Sequence, residues 1–436
     1  MNKKIESLVD ELREKLIAMR RDFHRYPEPA WTEFRTAAQV VRRLEELGYD
    51  VSYGEKVIKE EEMMGVPAAD ELARRQRRAV EQGADAEIVE LMTGGKTGVV
   101  AVLDTGRPGP TIGLRFDMDA NDLEEAKEAR HRPFTEGFAS LNEGAMHACG
   151  HDAHAAIGLG LAEMLKAVQD ELHGRIKLVF QPAEEGVRGA RAMVTAGVVD
   201  DVDYMLGIHV GMGHSPVGRV VCGGEGFLAT SKLDVTFNGK PAHAGGEPEA
   251  GNNALLAAAT AVLNLHAISR HSGGATRINV GTLVAGSGRN VIPARAQMEI
   301  ETRGATTELN KFVKERAIKI VRSAAAMHDV GTDITAAGAA LGGTVSEPLV
   351  KKIAKIARSV PGCTTILERG PVSGSEDYTF FMDRVQKQGG QATYLLLGTD
   401  LAAGHHNAFF DIDEEVLPLG VKLLGEVVLQ LSTAAL

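Results

Sequence analysis

Residues 146–154, MHACGHDAH, bring three histidines, a cysteine and an aspartate together in a chain that has only three cysteines and fourteen histidines. A thiolate and an imidazole two positions apart can share a borderline-soft cation such as zinc, manganese, iron or nickel, whereas magnesium and calcium prefer oxygen. On an extended segment Cys149 and His151 project to the same side, and that is the expected geometry. Two other readings stand beside this one. The stretch can be a buried cysteine and a hydrogen-bonded histidine in a glycine turn, or a cysteine nucleophile whose pKa is lowered by His147, His151 or His154.

Four more stations concentrate reactive side chains: RFDMD (115–119), QPAEEG (181–186), Ile208-His209 and GHHN (404–407). Glu184 and Glu185 follow the apolar run RIKLVF, so neighbouring carboxylates point in different directions at a strand end. One can hold a metal while the other faces a bound water, the division of labour that metal-assisted hydrolysis requires. Glutamate pairs are also common on surfaces, and a lone histidine at a strand end is more often structural. Taken together, Cys149, His151, Glu185, His209 and His406 offer two cations five protein ligands. Two metals roughly 3.5 to 4 Å apart can clamp a hydroxide and polarise a carbonyl at once. The nucleophile reading leaves Glu184, Glu185, His209 and His406 without a task.

These stations fall where short apolar runs end. Runs at 98–103, 111–116, 175–180 and 204–210 alternate with helical stretches after His154 and near 189–196, which predicts a mainly parallel sheet covered on both faces. In such a sheet the crevice forms outside the carboxyl ends of the strands. Two amphipathic helices precede the runs, one ending near 25–27 and one over 33–48. Residues 55–96 are charged and helix-prone and form a helical excursion, either a solvated surface helix or one that lines an entrance or a partner. From 227 to 338 the pattern becomes strand, helix, two strands, helix, strand, an α+β unit of ferredoxin-like type. The first style then returns. The expected domains are 1–226 with 339–436, and an inserted 227–338.

The totals narrow the function classes. At 436 residues the chain exceeds the roughly 250 to 300 at which single cores stop growing, so two domains are expected. No apolar run approaches the ~20 residues that cross a bilayer, and the N-terminus lacks the apolar core of a signal peptide. Three widely spaced cysteines suit a reducing compartment, so a cytoplasmic location is expected. A net charge of −11 without a basic stripe argues against nucleic acid.

In this order RFDMDA, MHACGHDAH, QPAEEG, GIH, PAHAG with GNNAL, SGRNVIP, GSED and HHN resemble the M20 metallopeptidase family, in its amidohydrolase and aminoacylase branch, over nearly the whole chain. The resemblance implies an α/β, mainly parallel-sheet catalytic domain with an inserted ferredoxin-like lid that often also forms the dimer surface. It implies Cys149, His151, Glu185, His209 and His406 as ligands of two divalent ions, manganese or zinc, with His406 chosen over His405 because it precedes Asn407. Glu184 becomes the general base and acid, and Asp117 a carboxylate that supports the centre from behind by orienting a ligating imidazole. His243 matches a lid histidine that donates to the oxyanion, frequently in a partner's site, and Asn290 and Arg303 match positions near the substrate carboxylate. Relatives with two zincs carry histidine where Arg115 stands and aspartate where Cys149 stands, so this chain has the thiolate variant. The loop 374–377 takes a scaffolding role. The implied reaction is hydrolysis of the amide between an acyl or aroyl group and an amino acid, with p-aminobenzoyl-glutamate, a folate breakdown product, as the expected substrate. Other N-acyl amino acids or dipeptides are the alternative, and a non-catalytic partner subunit is a further one. The implied assembly is a homodimer or a heterodimer with a homologous B subunit.

Overall fold

A computed structural model describes residues 3–372 and 374–433 of the chain. Its helices are α1 (Lys3–Arg25), α2 (Phe34–Glu46), α3 (Ala69–Glu81), α4 (Ala86–Glu90), α5 (Arg132–Thr135), α6 (His151–Ala167), α7 (Ala190–Thr195), α8 (Ala254–His266), α9 (Thr307–Met327), α10 (Glu347–Ala357), α11 (Thr379–Lys387) and α12 (Val416–Thr433). Its strands are β1 (Asp50–Tyr53), β2 (Val99–Asp104), β3 (Thr111–Asp117), β4 (Arg175–Gln181), β5 (Tyr204–Val210), β6 (Arg219–Val221), β7 (Gly224–Glu225), β8 (Ala229–Asn238), β9 (Thr276–Ala285), β10 (Arg295–Gly304), β11 (Gly331–Ala340), β12 (Thr365–Leu367), β13 (Gly370–Pro371) and β14 (Gln391–Leu397). The chain divides into two units, one of residues 1–225, 344–373 and 380–436, the other of 226–343 and 374–379.

The first unit is built on a sheet in the order β1-β2-β4-β3-β5-β14-β6-β12. Its centre, β4-β3-β5-β14, is parallel throughout, while β1, β2 and β6 pair antiparallel with their inner neighbours. β3 is buried along its whole length and β4, β5 and β14 nearly so, because helices cover both faces of a parallel sheet. Register then decides where the chemistry lies: Asp117 pairs with Gln181 and His209 with Leu396. The segments carrying Asp119, Glu184, His209 and the loop beyond β14 therefore leave the sheet at one edge. α6 packs on β3 and on α1 and α12, closely enough that a Cβ on Gly158 would stand 2.8 Å from the Phe116 and Phe180 rings. Contrary to the expectation of no such run, α12 is long and apolar enough to cross a membrane by composition, and most of it is buried against its neighbours in this unit.

Three local features differ from the sequence expectation. α6 begins at His151 itself, so Cys149 and His151 do not share an extended segment. Residues 57–64 are no surface helix: Val57, Ile58 and Met64 are buried, and regular helix starts only at Ala69. The loop 374–379 clusters with the second unit, where Leu228 N–H donates to the Gly374 carbonyl (3.2 Å) and Leu341 N–H to the Thr379 hydroxyl (3.0 Å).

The second unit has the element order β8-α8-β9-β10-α9-β11 and an antiparallel sheet in the order β11-β8-β10-β9. That is the ferredoxin-like arrangement of two split crossovers. β10 alternates exposed and buried residues, and Leu233, Val235, Phe237, Met298 and Ile300 of the sheet pack on Ala257, Ala261 and Val321 of the helices. One face of this sheet is covered, so its strands alternate where those of the first unit run apolar.

Candidate metal centre

The glutamate pair leaves β4 through a turn fastened by two buried acids. Ala183 has φ +54°, a left-handed conformation that costs a residue with a Cβ about 1 kcal/mol or more. Its N–H donates to Glu33 (2.8 Å), which also accepts the Trp31 N–H (3.0 Å) and the Thr97 hydroxyl (2.6 Å). Asp119 accepts the N–H groups of Glu184 (3.0 Å) and Glu185 (2.8 Å). Burial and then the Asp119 charge lift the Glu33 carboxyl well above its ordinary value. Asn121 ties two segments together, accepting the Ala148 N–H (3.1 Å) and hydrogen-bonding the Glu185 carboxylate.

Between Cys149 and His151 the chain reverses at Gly150, where φ is +92° and a Cβ would lie 2.5 Å from the Val210 side chain. Only glycine meets both demands. His151 Nδ1 donates to the Asp119 carbonyl (2.9 Å) and lies 3.2 Å from its carboxylate, which leaves the Nε2 lone pair facing outward. His209 Nδ1 likewise donates to the Val210 carbonyl (2.8 Å), and its Nε2 lies 3.5 Å from Cys149 Sγ. His406, at φ +59°, is held by its N–H on the Ala148 carbonyl (2.8 Å), with Nε2 3.3 Å from Glu185 Oε1. Donor atoms of Cys149, His151 and His209 lie within 4.8 Å of one another, and so do those of Cys149, Glu185 and His406, and of His151, Glu184 and Glu185.

Among the described residues His151 Nε2 is buried without a hydrogen bond, while Glu185 Oε1 has the His406 ring 3.3 Å away. Buried acceptors aimed at one another are unfavourable unless a cation lies among them. The set of one sulfur, three imidazoles and a carboxylate suits a borderline divalent ion, so the residues fit such a group. Burial, then the His154 and His405 charges, hold His209 well below its ordinary value, the neutral state a ligand needs. Burial and then Glu185 push the Cys149 thiol upward, the reverse of an activated nucleophile. A thiolate at this position needs a cation beside it.

Asp117, His151 and His154 form another close group, but His154 has no free nitrogen. Its Nε2 accepts the Val210 N–H (2.9 Å) and its Nδ1 donates to Asp117, which also receives Arg115. Asp117 lies 3.8 Å from His151 Nε2. The histidine that Asp117 orients is thus His154, and support for His151 comes from Asp119, which the sequence reading missed. His405 is turned away, its Nε2 donating to the Val210 carbonyl (3.2 Å). Behind His151, the buried Asp152 meets Arg20 Nε (2.8 Å) and His24 Nδ1 (2.7 Å).

Three expected site residues belong to the second unit. His243 is exposed, bridges Val291, and accepts the Gly245 N–H on Nδ1 (3.2 Å), while Asn290 accepts the Ala244 N–H on its carbonyl (3.0 Å). Arg303 lies apart on β10 with its fork on Glu301 (2.9 and 3.0 Å).

Residues 113–430 match the profile of Peptidase family M20/M25/M40. The chain belongs to that family. Similarity to individual members of peptidase family M20/M25/M40 extends beyond the matched segment. The chain is 52% identical over 426 residues to the A subunit of p-aminobenzoyl-glutamate hydrolase from Escherichia coli (strain K12), covering 98% of each chain. It is 51% identical over 426 residues to the indole-3-acetyl-aspartic acid hydrolase of Enterobacter agglomerans, covering 98% of this chain and 97% of that one. A crystal structure of the aminobenzoyl-glutamate utilization protein from Klebsiella pneumoniae superposes with a TM-score of 0.87 at 45% identity, covering 99% of this chain and 100% of that one. For a peptidase family M20/M25/M40 sequence, the one signal that could have found Asp119 is its spacing of two from Asp117 at a strand end. Glu33 and Asn121 carry no comparable signature.

Proposed function

We propose that the chain is a metal-dependent amidohydrolase that cleaves p-aminobenzoyl-glutamate to p-aminobenzoate and glutamate. Its two divalent ions, manganese or zinc, are held by Cys149, His151, Glu185, His209 and His406. The observation that carries this reading is the convergence of those donors on Cys149 with Glu184 beside them. The substrate follows from the relatives, named for p-aminobenzoyl-glutamate and its utilization.

When bound, such ions acidify a water and polarise a carbonyl. Glu184 takes the proton from the attacking water and returns it to the leaving amine. Asp119 fixes the backbone from which Glu184 extends, so that carboxylate is set before substrate arrives. His243 donates to the tetrahedral oxyanion, and Asn290 and Arg303 receive the substrate carboxylate, Arg303 exchanging Glu301 for it. The second unit acts as a lid and as the surface for a second copy or for a homologous B subunit, a pairing supported by the relative's being named as one lettered subunit of its hydrolase. The enzyme works in the cytoplasm.

The 51% identity to an indole-3-acetyl-aspartic acid hydrolase favours a second reading, in which the acyl group is indole-3-acetyl and the amino acid aspartate. The deciding experiment measures release of p-aminobenzoate and of indole-3-acetate by the purified, metal-reconstituted chain, alone and with a co-expressed homologue. Turnover of the aspartate conjugate alone selects the second reading. No turnover of any acyl amino acid under either condition overturns both.

A further inference from the structure

Two of the donor groups meet on Cys149, and different parts of the chain anchor them. In the group of Cys149, His151 and His209, each imidazole spends its Nδ1 on a backbone carbonyl, His151 on that of Asp119 (2.9 Å) and His209 on that of Val210 (2.8 Å). In the group of Cys149, Glu185 and His406, every member leads back to one side chain, Asn121. Asn121 Oδ1 accepts the N–H of Ala148, the residue directly before Cys149 (3.1 Å). The carbonyl of the same Ala148 accepts the His406 N–H (2.8 Å). Asn121 also hydrogen-bonds the Glu185 carboxylate, whose Oε1 stands 3.3 Å from His406 Nε2.

A carboxamide suits this place because its two ends have opposite polarity. With Oδ1 on an N–H, Nδ2 is left to donate to a carboxylate, which can only accept. The donor is uncharged, so it holds Glu185 against rotation without setting a positive charge beside a cation. The side chain also starts from a fixed backbone: Asn121 N–H donates to the Met146 carbonyl (2.9 Å), and the Asn121 carbonyl accepts the Met146 N–H (3.1 Å). Glu185 comes close to His151 and Glu184 as well, but that group has its own anchor in Asp119, which accepts both glutamate N–H groups.

We propose that Asn121 is a positioning residue for one ion of the pair, the ion held by Cys149, Glu185 and His406, and that the ion on Cys149, His151 and His209 does not depend on it. This rests on the two-ion amidohydrolase reading.

The test titrates the metal-free wild type, Asn121→Leu, Asn121→Ser and His406→Ala calorimetrically with manganese and, in a parallel series, with zinc, recording circular dichroism for each. Wild type should take up two ions, and both Asn121 variants should bind one of them about 10- to 100-fold more weakly and the other within about 2-fold of wild type. Turnover lost at limiting metal should return when the ion concentration is raised by the same factor. The double variant Asn121→Leu with His406→Ala should bind metal as His406→Ala alone does, because both changes act on the same ion. Equal weakening of both ions, unchanged binding of both, or additive losses in the double variant overturn the assignment. Loss of the folded spectrum in both Asn121 variants overturns it too, by making Asn121 a part of the fold. A wild type that takes up fewer than two of either ion overturns the two-ion reading and this role with it.

Discussion

Cys149 stands in two of the close donor groups, which makes the surrounding imidazoles the parts that can be told apart by mutation. His406 and His405 are adjacent in sequence, but only His406 faces Glu185, while His405 is spent on the Val210 carbonyl. His406→Ala is therefore expected to lower bound metal, measured by elemental analysis after dialysis, and His405→Ala to leave the stoichiometry intact. Equal losses would remove the distinction. Glu184 touches the site from the other side, its carboxylate 4.0 Å from His151 Nε2. Glu184→Gln should cut kcat by about 100- to 10,000-fold, the range of a lost general acid and base, with metal still bound. A variant of near-normal kcat would end the assignment. At this scale the donor types were legible because cysteine and paired glutamates at strand ends are distinctive. Asp119 and Glu33 were not, since their task is to receive backbone N–H groups from residues 65 and 150 positions away.

Helix α1 packs on α6 and reaches the centre through a buried ionic relay. Arg20 is fully buried and meets Asp152 at 2.8 Å, Asp411 at 3.1 Å and Glu414 at 3.4 Å, and Arg132 meets Asp411 and Glu414 from outside. Burial alone would lift the Asp411 and Glu414 carboxylates, yet Arg20 and Arg132 hold Asp411, and Arg21, Arg20 and Arg132 hold Glu414, below the ordinary value. Depressed carboxylates stabilise the fold fully above their unfolded pKa, near ~4, and that stability drains as pH falls through the folded values. Arg20→Met should cost about 3–5 kcal/mol at neutral pH by stranding buried carboxylates. It should also move the onset of acid unfolding upward, as followed by circular dichroism between pH 7 and 3. Unchanged acid tolerance would show that the relay is idle. The central strands were legible as continuous apolar runs because both faces are covered. The start of α6 was not, because a helix buried nearly all round has no polar stripe to mark its first turn. The strap at 57–64 was hidden by its glutamates, with Val57, Ile58 and Met64 too sparse to announce a buried segment.

Across the whole molecule the thiol and metal readings separate cleanly. Chelation should abolish turnover and added manganese or zinc restore it, whereas iodoacetamide applied to the metal-loaded protein should leave activity intact; the reverse pattern would make Cys149 the nucleophile. The two-unit architecture was readable because strand texture changes where one sheet face becomes exposed, as it does in β10. The place of 374–379 was not, since its hydrogen bonds reach back to Leu228 and Leu341. The insertion also sets a schedule. Four proposed ligands lie at or before His209, and the fifth, His406, follows the entire ferredoxin-like unit. At ~5–20 residues per second the roughly 200 intervening residues keep a ribosome busy for roughly 10 to 40 seconds. During that interval the nascent chain carries an incomplete, thiol-bearing site, which can be completed only after the inserted unit and His406 have been made.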